Sequence, residues 1–270
     1  MRKCQVKILE LLKMPQARGI KDLDDPAATM LHAEIIRQKP FLRKLYTDFY
    51  RQFITAVPDF ESKVIVELGS GGGFIKEVVH NVITSDVLEV PTVDMVFSAL
   101  KMPFEDAGVD AFFMVDVLHH ITNPRGFFTE ALRCLKVGGK IVMIEPANTC
   151  WSRFIYKNFH HEIFDPRAKW ELAAGTQGPL SQGNGALPWI IFKRDRQIFE
   201  KEFPALRIVG IQNHTPLRYL LSGGLTLRQL VPSFAYPAVK AIEYVLSPVN
   251  NLVGMFVTIE LEKVNPPKAG

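Results

Sequence analysis

Val64-Ile65-Val66-Glu67-Leu68-Gly69-Ser70-Gly71-Gly72-Gly73 is the stretch on which the fold turns. Three β-branched residues in succession read as a strand buried on both faces. The strand gains an acid at its end, Glu67, and then breaks into glycines. Beyond them, Phe74 to His80 resumes apolar residues at helical spacing. Strand, glycine turn and helix form the front of a nucleotide-binding βαβ unit, because only glycine lets the backbone approach a ligand closely. The start of the helix then offers N–H groups to that ligand. The pattern predicts a ligand containing a nucleoside.

The spacing narrows the choice. A dinucleotide fingerprint, G-x-G-x-x-G, would need a glycine where Phe74 stands, and a P-loop would need Gly-Lys-Ser/Thr after a longer loop. The missing third glycine and the acid at Glu67 also argue against a nicotinamide oxidoreductase. Further along, Asp86 closes a second apolar strand, and Lys101-Met-Pro-Phe-Glu-Asp106 reads as a turn. Val109 to Ile121 runs from a strand into Leu118-His119-His120, and Arg133 to Lys140 carries Gly138-Gly139 ahead of a fifth strand.

In this order and spacing these segments resemble the class I S-adenosylmethionine-dependent methyltransferases. Glu67 to Gly73 is similar to that family's acid-x-G-x-G-x-G, and 101–106 to its LPF-x-D turn. Residues 109–121 are similar to its fourth strand and LHH segment, and 133–140 to its LKPGG helix end. The resemblance is close over 63–146 and loose on the flanks. It implies S-adenosyl-L-methionine as cofactor, with Asp86 on the ribose hydroxyls and Glu67 with the carbonyls near Gly69 on the ammonium. Gly69, Ser70, Gly71, Gly73, Ser98, Ala99, Asp116 and Val117 complete the implied cofactor contacts. One position departs: Ser98 stands where the family commonly has an acid for the adenine amino group. A hydroxyl can accept that bond, without charge assistance. The cofactor carries no phosphate, so the glycines serve close approach, and an acceptor-only carboxylate suits a ribose diol.

The whole chain sets bounds. Its 270 residues are 47% hydrophobic and 22% charged, ordinary globular values. A net charge of +4 without a Lys/Arg run argues against a nucleic-acid partner, and the family resemblance implies a small-molecule acceptor. Cys4, Cys134 and Cys150 are too scattered for a disulfide framework or a zinc site, and read as reduced thiols of a cytoplasmic protein. No apolar run approaches the roughly 18 residues of a membrane span, so the chain is expected to be soluble or at most peripheral to a membrane. Oligomeric state is not legible.

Alternating strands and helices predict an α/β fold, a doubly wound, mostly parallel seven-stranded sheet. Strands are expected at 63–68, 82–86, 92–97, 110–116, 139–145, 206–213 and 254–263, with helices at 124–135 and 194–202. Residues 1–62 read as a helical N-terminal cap, opening at Asp24-Asp25-Pro26 and bent or split at Pro40. Residues 63–270 read as the S-adenosylmethionine-binding domain. It carries an irregular insert at 146–192 and an apolar helical insert at 216–248, before the last strand. The second insert has two readings: a lid or membrane-interface surface, or burial against the N-terminal helices. Breaks at Gly223-Gly224, Pro232 and Pro237 favour burial.

Methyl transfer from a sulfonium is an in-line displacement in which the protein aligns the partners in a dry pocket. His119 and His120 follow strand four and Glu145 ends strand five, so all three fall at the rim where open sheets bind ligands. His120 is the favoured base, with packing and capping as the other role of the pair. Tyr156, His160 and His161 lie just past strand five and are candidates for the acceptor side. No metal is implied: in His160-His161-Glu162 adjacent histidines point different ways on a regular element, although a site could be assembled in space with His119 or His120. The expected activity is methyl transfer to a small, apolar or lipid-like acceptor. The alternative is a catalytically silent protein of the same fold that binds the cofactor as sensor or scaffold.

Overall fold

A computed structural model describes residues 12–19, 22–160, 162–171, 178 and 180–265. Seven strands make one sheet in the order β3-β2-β1-β4-β5-β7-β6. β1 (Ile65–Leu68) lies between β2 (Val82–Asp86) and β4 (Val109–Val115), parallel to both. β3 (Met95–Val96) and β5 (Leu135–Pro146) extend the parallel part. β7 (Phe256–Lys263) runs antiparallel between β5 and β6 (Leu206–His214). β1 and most of β4 are buried on both faces, as continuous apolar runs in a covered parallel sheet should be. The carboxyl ends of β1, β2 and β4 therefore bring Glu67, Asp86 and Asp116 to one rim.

The N-terminal helices follow their punctuation. α1 (Pro26–Gln38) starts at Asp25, whose side chain accepts from the Ala27 N–H. The chain breaks at Lys39, because the residue before a proline is pushed out of the helical region. α2 (Pro40–Ala56) then lays its aromatic stripe on the sheet. Phe53 stacks on Phe113 with ring centres 4.6 Å apart, and Phe49 packs 5.3 Å from Phe256.

Three expectations are corrected. The helix at 74–80 is a single 3-10 turn, Ile75–Glu77. Ile75 and Val79 both bury on the sheet and β2 begins at Val82, which leaves room for one turn only. Strand three shrinks from 92–97 to two residues, because the Asp94 carboxylate, 2.9 Å from both the Thr84 N–H and hydroxyl, replaces ladder bonds. The first half of the 146–192 insert is ordered: α4 (Cys150–Phe159) follows α3 (Pro124–Cys134) and opens with a Thr149/Ser152 capping box. A helical stretch, Leu187–Arg194, leads into α5 (Arg196–Glu202).

The 216–248 insert is two-sided. Its α6 (Arg218–Ser222) and α7 (Tyr236–Leu246) close on α2 through buried Arg218, which contacts Glu243, the Asp48 carboxylate at 2.6 Å and the Tyr236 hydroxyl at 2.6 Å. Lys39 reinforces the closure by donating to the carbonyls of Gly224 and Leu227. On the outer side Phe234, Tyr244 and Val245 are 83%, 81% and 76% exposed. Among the described residues no helix is long and apolar enough to cross a membrane. Cys134 is buried and Cys150 exposed, both as free thiols.

Candidate active site

The glycine turn is bound to β2. Gly69 adopts φ +67°, and a Cβ there would meet Val117 Cγ2 at 2.5 Å, so neither the conformation nor the space admits a side chain. The Ser70 N–H donates to the Ser85 carbonyl at 2.8 Å. The Gly71 N–H donates to Asp86 Oδ2 at 3.0 Å, and the Leu88 N–H to Asp86 Oδ1 at 2.9 Å. Asp86 is thus fixed from behind, at the cavity wall. The N–H groups of Ser70, Gly71 and Gly73 are taken up inside the protein, so the turn offers a tight approach where the sequence suggested a helix N-terminus. Ser98 and Ala99 line the same cavity, and Ser98 Oγ accepts from the Leu100 N–H at 3.2 Å.

Glu67 is the electrostatic anomaly of the site. It is buried at the end of β1, and its Oε2 has no hydrogen-bond partner. Burial pushes its carboxyl up to about 7, opposed by the Ser70 hydroxyl and assisted by Asp86. A buried carboxylate oxygen without a donor is costly unless a ligand supplies one. A ligand ammonium entering the cavity would do so.

After β4 the chain turns sharply at Asp116, with φ +56°. Burial drives the Asp116 carboxyl up to about 8, His119 opposing. The turn is pinned by Glu145: Oε1 accepts from the N–H groups of Val117 (2.9 Å) and Leu118 (2.7 Å), and Oε2 takes His119 Nδ1 at 2.7 Å. Glu145 is fully buried and does not reach the cavity wall. It stands at the rim end of β5, as the sequence suggested, and from there it holds the turn at Val117–His119. His120 Nδ1 lies 2.8 Å from the Gln182 carbonyl, and burial with His119 pushes its pKa down to about 4. A carbonyl only accepts, so Nδ1 carries the proton and Nε2 the lone pair. His119 behaves oppositely: burial alone would lower its pKa, but Glu145 and Glu162 raise it well above the usual value.

A cavity of about 1020 Å³ joins these pieces. Tyr156 contributes its ring, stacked 5.2 Å from Phe164, while its hydroxyl donates to the Met255 carbonyl at 2.9 Å. His160 lines the wall beside it, and His161 lies outside the described residues. Tyr46 and Tyr50 of α2, Tyr219 of α6 and Glu162 also face in. Sequence reasoning placed these four in elements expected near the pocket without naming them as site residues.

Residues 66–143 match the family described as "Methyltransferase domain". The matched segment is similar to a methyltransferase domain, and the seven-stranded sheet around it has the order of the class I S-adenosylmethionine-dependent methyltransferase fold. No curated protein matches the chain. Among solved structures, a geranyl diphosphate C-methyltransferase from Streptomyces coelicolor A3(2) aligns at 16% identity, over 85% of this chain and 84% of that one, with TM-score 0.47. A SAM-dependent methyltransferase from Archaeoglobus fulgidus aligns at 16% identity over 82% and 94%, TM-score 0.48. The [4+2]-cyclase SpnF aligns at 13% over 81% and 81%, TM-score 0.47.

The residues present fit S-adenosylmethionine, the cofactor that the family resemblance implies. The unpartnered Glu67 oxygen suits its ammonium, Asp86 presents an acceptor-only group for a diol, and the turn leaves no side chain at Gly69 or Gly71 to block the approach. A pH dependence follows. In the free protein Glu67 takes up a proton near pH 7. An ammonium bound beside it favours the ionised form, so the complex holds fewer protons than the free protein. Affinity for S-adenosylhomocysteine should therefore rise with pH up to about 7 and level off above it. The slope below that point should approach tenfold per pH unit. Calorimetric titration from pH 5.5 to 8.5 measures this, and Glu67→Gln should abolish the slope.

Proposed function

We propose that this methyltransferase moves the cofactor's methyl group to a small, apolar or lipid-like acceptor bound in the far half of the cavity. The observation that carries the reading is the cavity's apolar lining. Besides the glycine turn and the polar His119, His120, His160 and Glu162, it includes Ile36, Ile155, Phe164, Leu220, Leu225 and Leu227, with tyrosine rings from α2 and α6. Its volume, about 1020 Å³, is at the upper end of small-ligand sites, which supports room for an acceptor beside a nucleoside. The cofactor supplies the methyl group on a sulfonium. The protein's contribution is alignment of the acceptor and exclusion of water, worth as much as ~7–11 kcal/mol.

In this reading Glu67, Asp86 and the turn Gly69–Gly73 hold the cofactor, with Ser98, Ala99, Asp116 and Val117 along its length. Tyr156, through its ring, and His160 face the acceptor. His120 turns the Nε2 lone pair toward the acceptor, uncharged at neutral pH because it is buried. His119 is held by Glu145 and acts on orientation. The insert that closes the cavity at Tyr219–Leu227 also carries the exposed Phe234, Tyr244 and Val245. That outer face supports a peripheral membrane contact from which a greasy acceptor would be drawn.

The test is transfer of labelled methyl from S-adenosylmethionine to hydroxylated apolar compounds and to total lipid dispersed in vesicles. Label should pass into an organic-extractable product. His120→Ala should lower kcat by ~10²–10⁴-fold while leaving cofactor affinity unchanged. Cofactor binding without transfer to any acceptor would overturn the reading in favour of a sensor or scaffold.

A further inference from the structure

Two histidines and a carboxylate converge on one point of the cavity wall. His119 Nε2 lies 3.3 Å from Glu162 Oε2, and His120 Nε2 lies 3.9 Å from Glu162 Oε1. All three residues bring ligand-capable atoms within 4.8 Å of one another. In a tetrahedral site with bonds of about 2.0–2.1 Å, neighbouring ligand atoms sit about 3.3 Å apart. The His119–Glu162 separation equals that edge length, the His120 separation is longer and reaches the other carboxylate oxygen, and a shift of His120 toward Glu162 would complete the set.

Each imidazole is also oriented from behind. His119 Nδ1 is held by Glu145 Oε2 at 2.7 Å, and His120 Nδ1 by the Gln182 carbonyl at 2.8 Å. Both partners accept, so both rings keep their proton on Nδ1 and can turn Nε2 to the same place. Carboxylate or carbonyl behind the ring, with Nε2 in front, is the way metal-binding histidines are supported. Asp116, His119 and Glu145 form a second cluster, but both Glu145 oxygens already accept N–H groups, which puts Glu145 behind the ligands.

We propose that His119, His120 and Glu162 form a binding site for a first-row divalent cation of the zinc type. Two imidazoles with one carboxylate suit Zn²⁺, Co²⁺ or Fe²⁺, whereas Mg²⁺ and Ca²⁺ favour oxygen-only sets. The ion takes the place of the proton between His119 and Glu162. Three protein ligands leave a position open to the cavity, where an oxygen of the acceptor would bind. That role rests on the acceptor reading above and would pass the contribution of His120 through the ion. The site itself does not depend on it. The sequence pointed away from a metal because its ligands come from two distant segments, a turn after β4 and a loop after α4.

The experiment is titration of chelator-treated protein with Co²⁺, followed by visible absorption, and then with Zn²⁺. One equivalent of Co²⁺ should give visible bands that one equivalent of Zn²⁺ removes. His120→Ala and Glu162→Gln should lose them, and Glu145→Gln should weaken binding ~10–100-fold. His80→Ala, a change at an exposed histidine, should keep them. S-adenosylhomocysteine binding by each variant checks that it is folded. No Co²⁺ uptake by the parent protein, or uptake unchanged in folded His120→Ala and Glu162→Gln, overturns the site. A metal-loaded protein that methylates no apolar acceptor overturns the acceptor reading and leaves the site standing.

Discussion

Arg218→Ala should destabilise the protein by ~3–5 kcal/mol, the cost typical of breaking a buried ion pair from one side. Arg218 is buried among Glu243, Asp48 and the Tyr236 hydroxyl. Glu243 is buried as well, and its Oε1 accepts from the N–H groups of Leu217 and Arg218 at 2.8 and 2.7 Å. Removing the guanidinium leaves that carboxylate without its charge partner, whereas Asp48 keeps Lys240 at 2.8 Å. The melting temperature should fall by on the order of 10 °C. Pairing the change with Glu243→Leu should recover part of the loss, because no buried charge then stands alone. A single-variant melt within a degree or two of the parent would show that the cluster does not hold the insert down. Arg218 ties α6 to α2 and α7, and α6 supplies Tyr219 and Leu220 to the cavity, so the same variant should loosen the acceptor side before the cofactor side.

The parts of the site that the sequence made legible are those set by backbone chemistry. A β-branched run, an acid and closely spaced glycines allow few local structures, and Asp86 at a strand end fixes where a second acid must fall. The central strands β1, β4 and β5 were readable for the same reason, since buried parallel strands are written as unbroken apolar runs. What was hidden depends on long-range packing. The turn at Ile75–Glu77 looked helical because its apolar spacing was read without the distance to β2. Thr149/Ser152 caps α4 with a serine where the usual signal is Glu or Gln, so the helix start went unread. Glu145 is a rim acid as expected, but the N–H groups it accepts come from residues 117 and 118, which no spacing rule connects to it. Glu162 sits a few residues past α4 and meets His119 only through the folded sheet. The 216–248 insert has both faces at once: Arg218, Tyr236 and Glu243 turn inward, while Phe234, Tyr244 and Val245 turn out. A one-dimensional apolar pattern cannot divide those two sets.

Asp86→Ala should weaken S-adenosylhomocysteine binding by about tenfold to a hundredfold, the range for losing hydrogen bonds to a charged group. The carboxylate has two tasks. It accepts the Gly71 and Leu88 N–H groups, and it presents an acceptor to the cavity. Asp86→Asn separates them: its side-chain oxygen can still take an N–H, while the charge and one acceptor are lost. The asparagine variant should therefore bind with intermediate affinity and melt close to the parent. The choice of ligand tells Asp86 from Glu67. 5′-Methylthioadenosine has the ribose but no ammonium, so Asp86→Ala should weaken it as much as it weakens S-adenosylhomocysteine. Glu67→Gln should weaken only the ligand that carries the ammonium, because the unpartnered Glu67 Oε2 is the group that meets it. Equal losses of both ligands in both variants would mean that the two acids act on the shape of the glycine turn and not on separate ends of the cofactor.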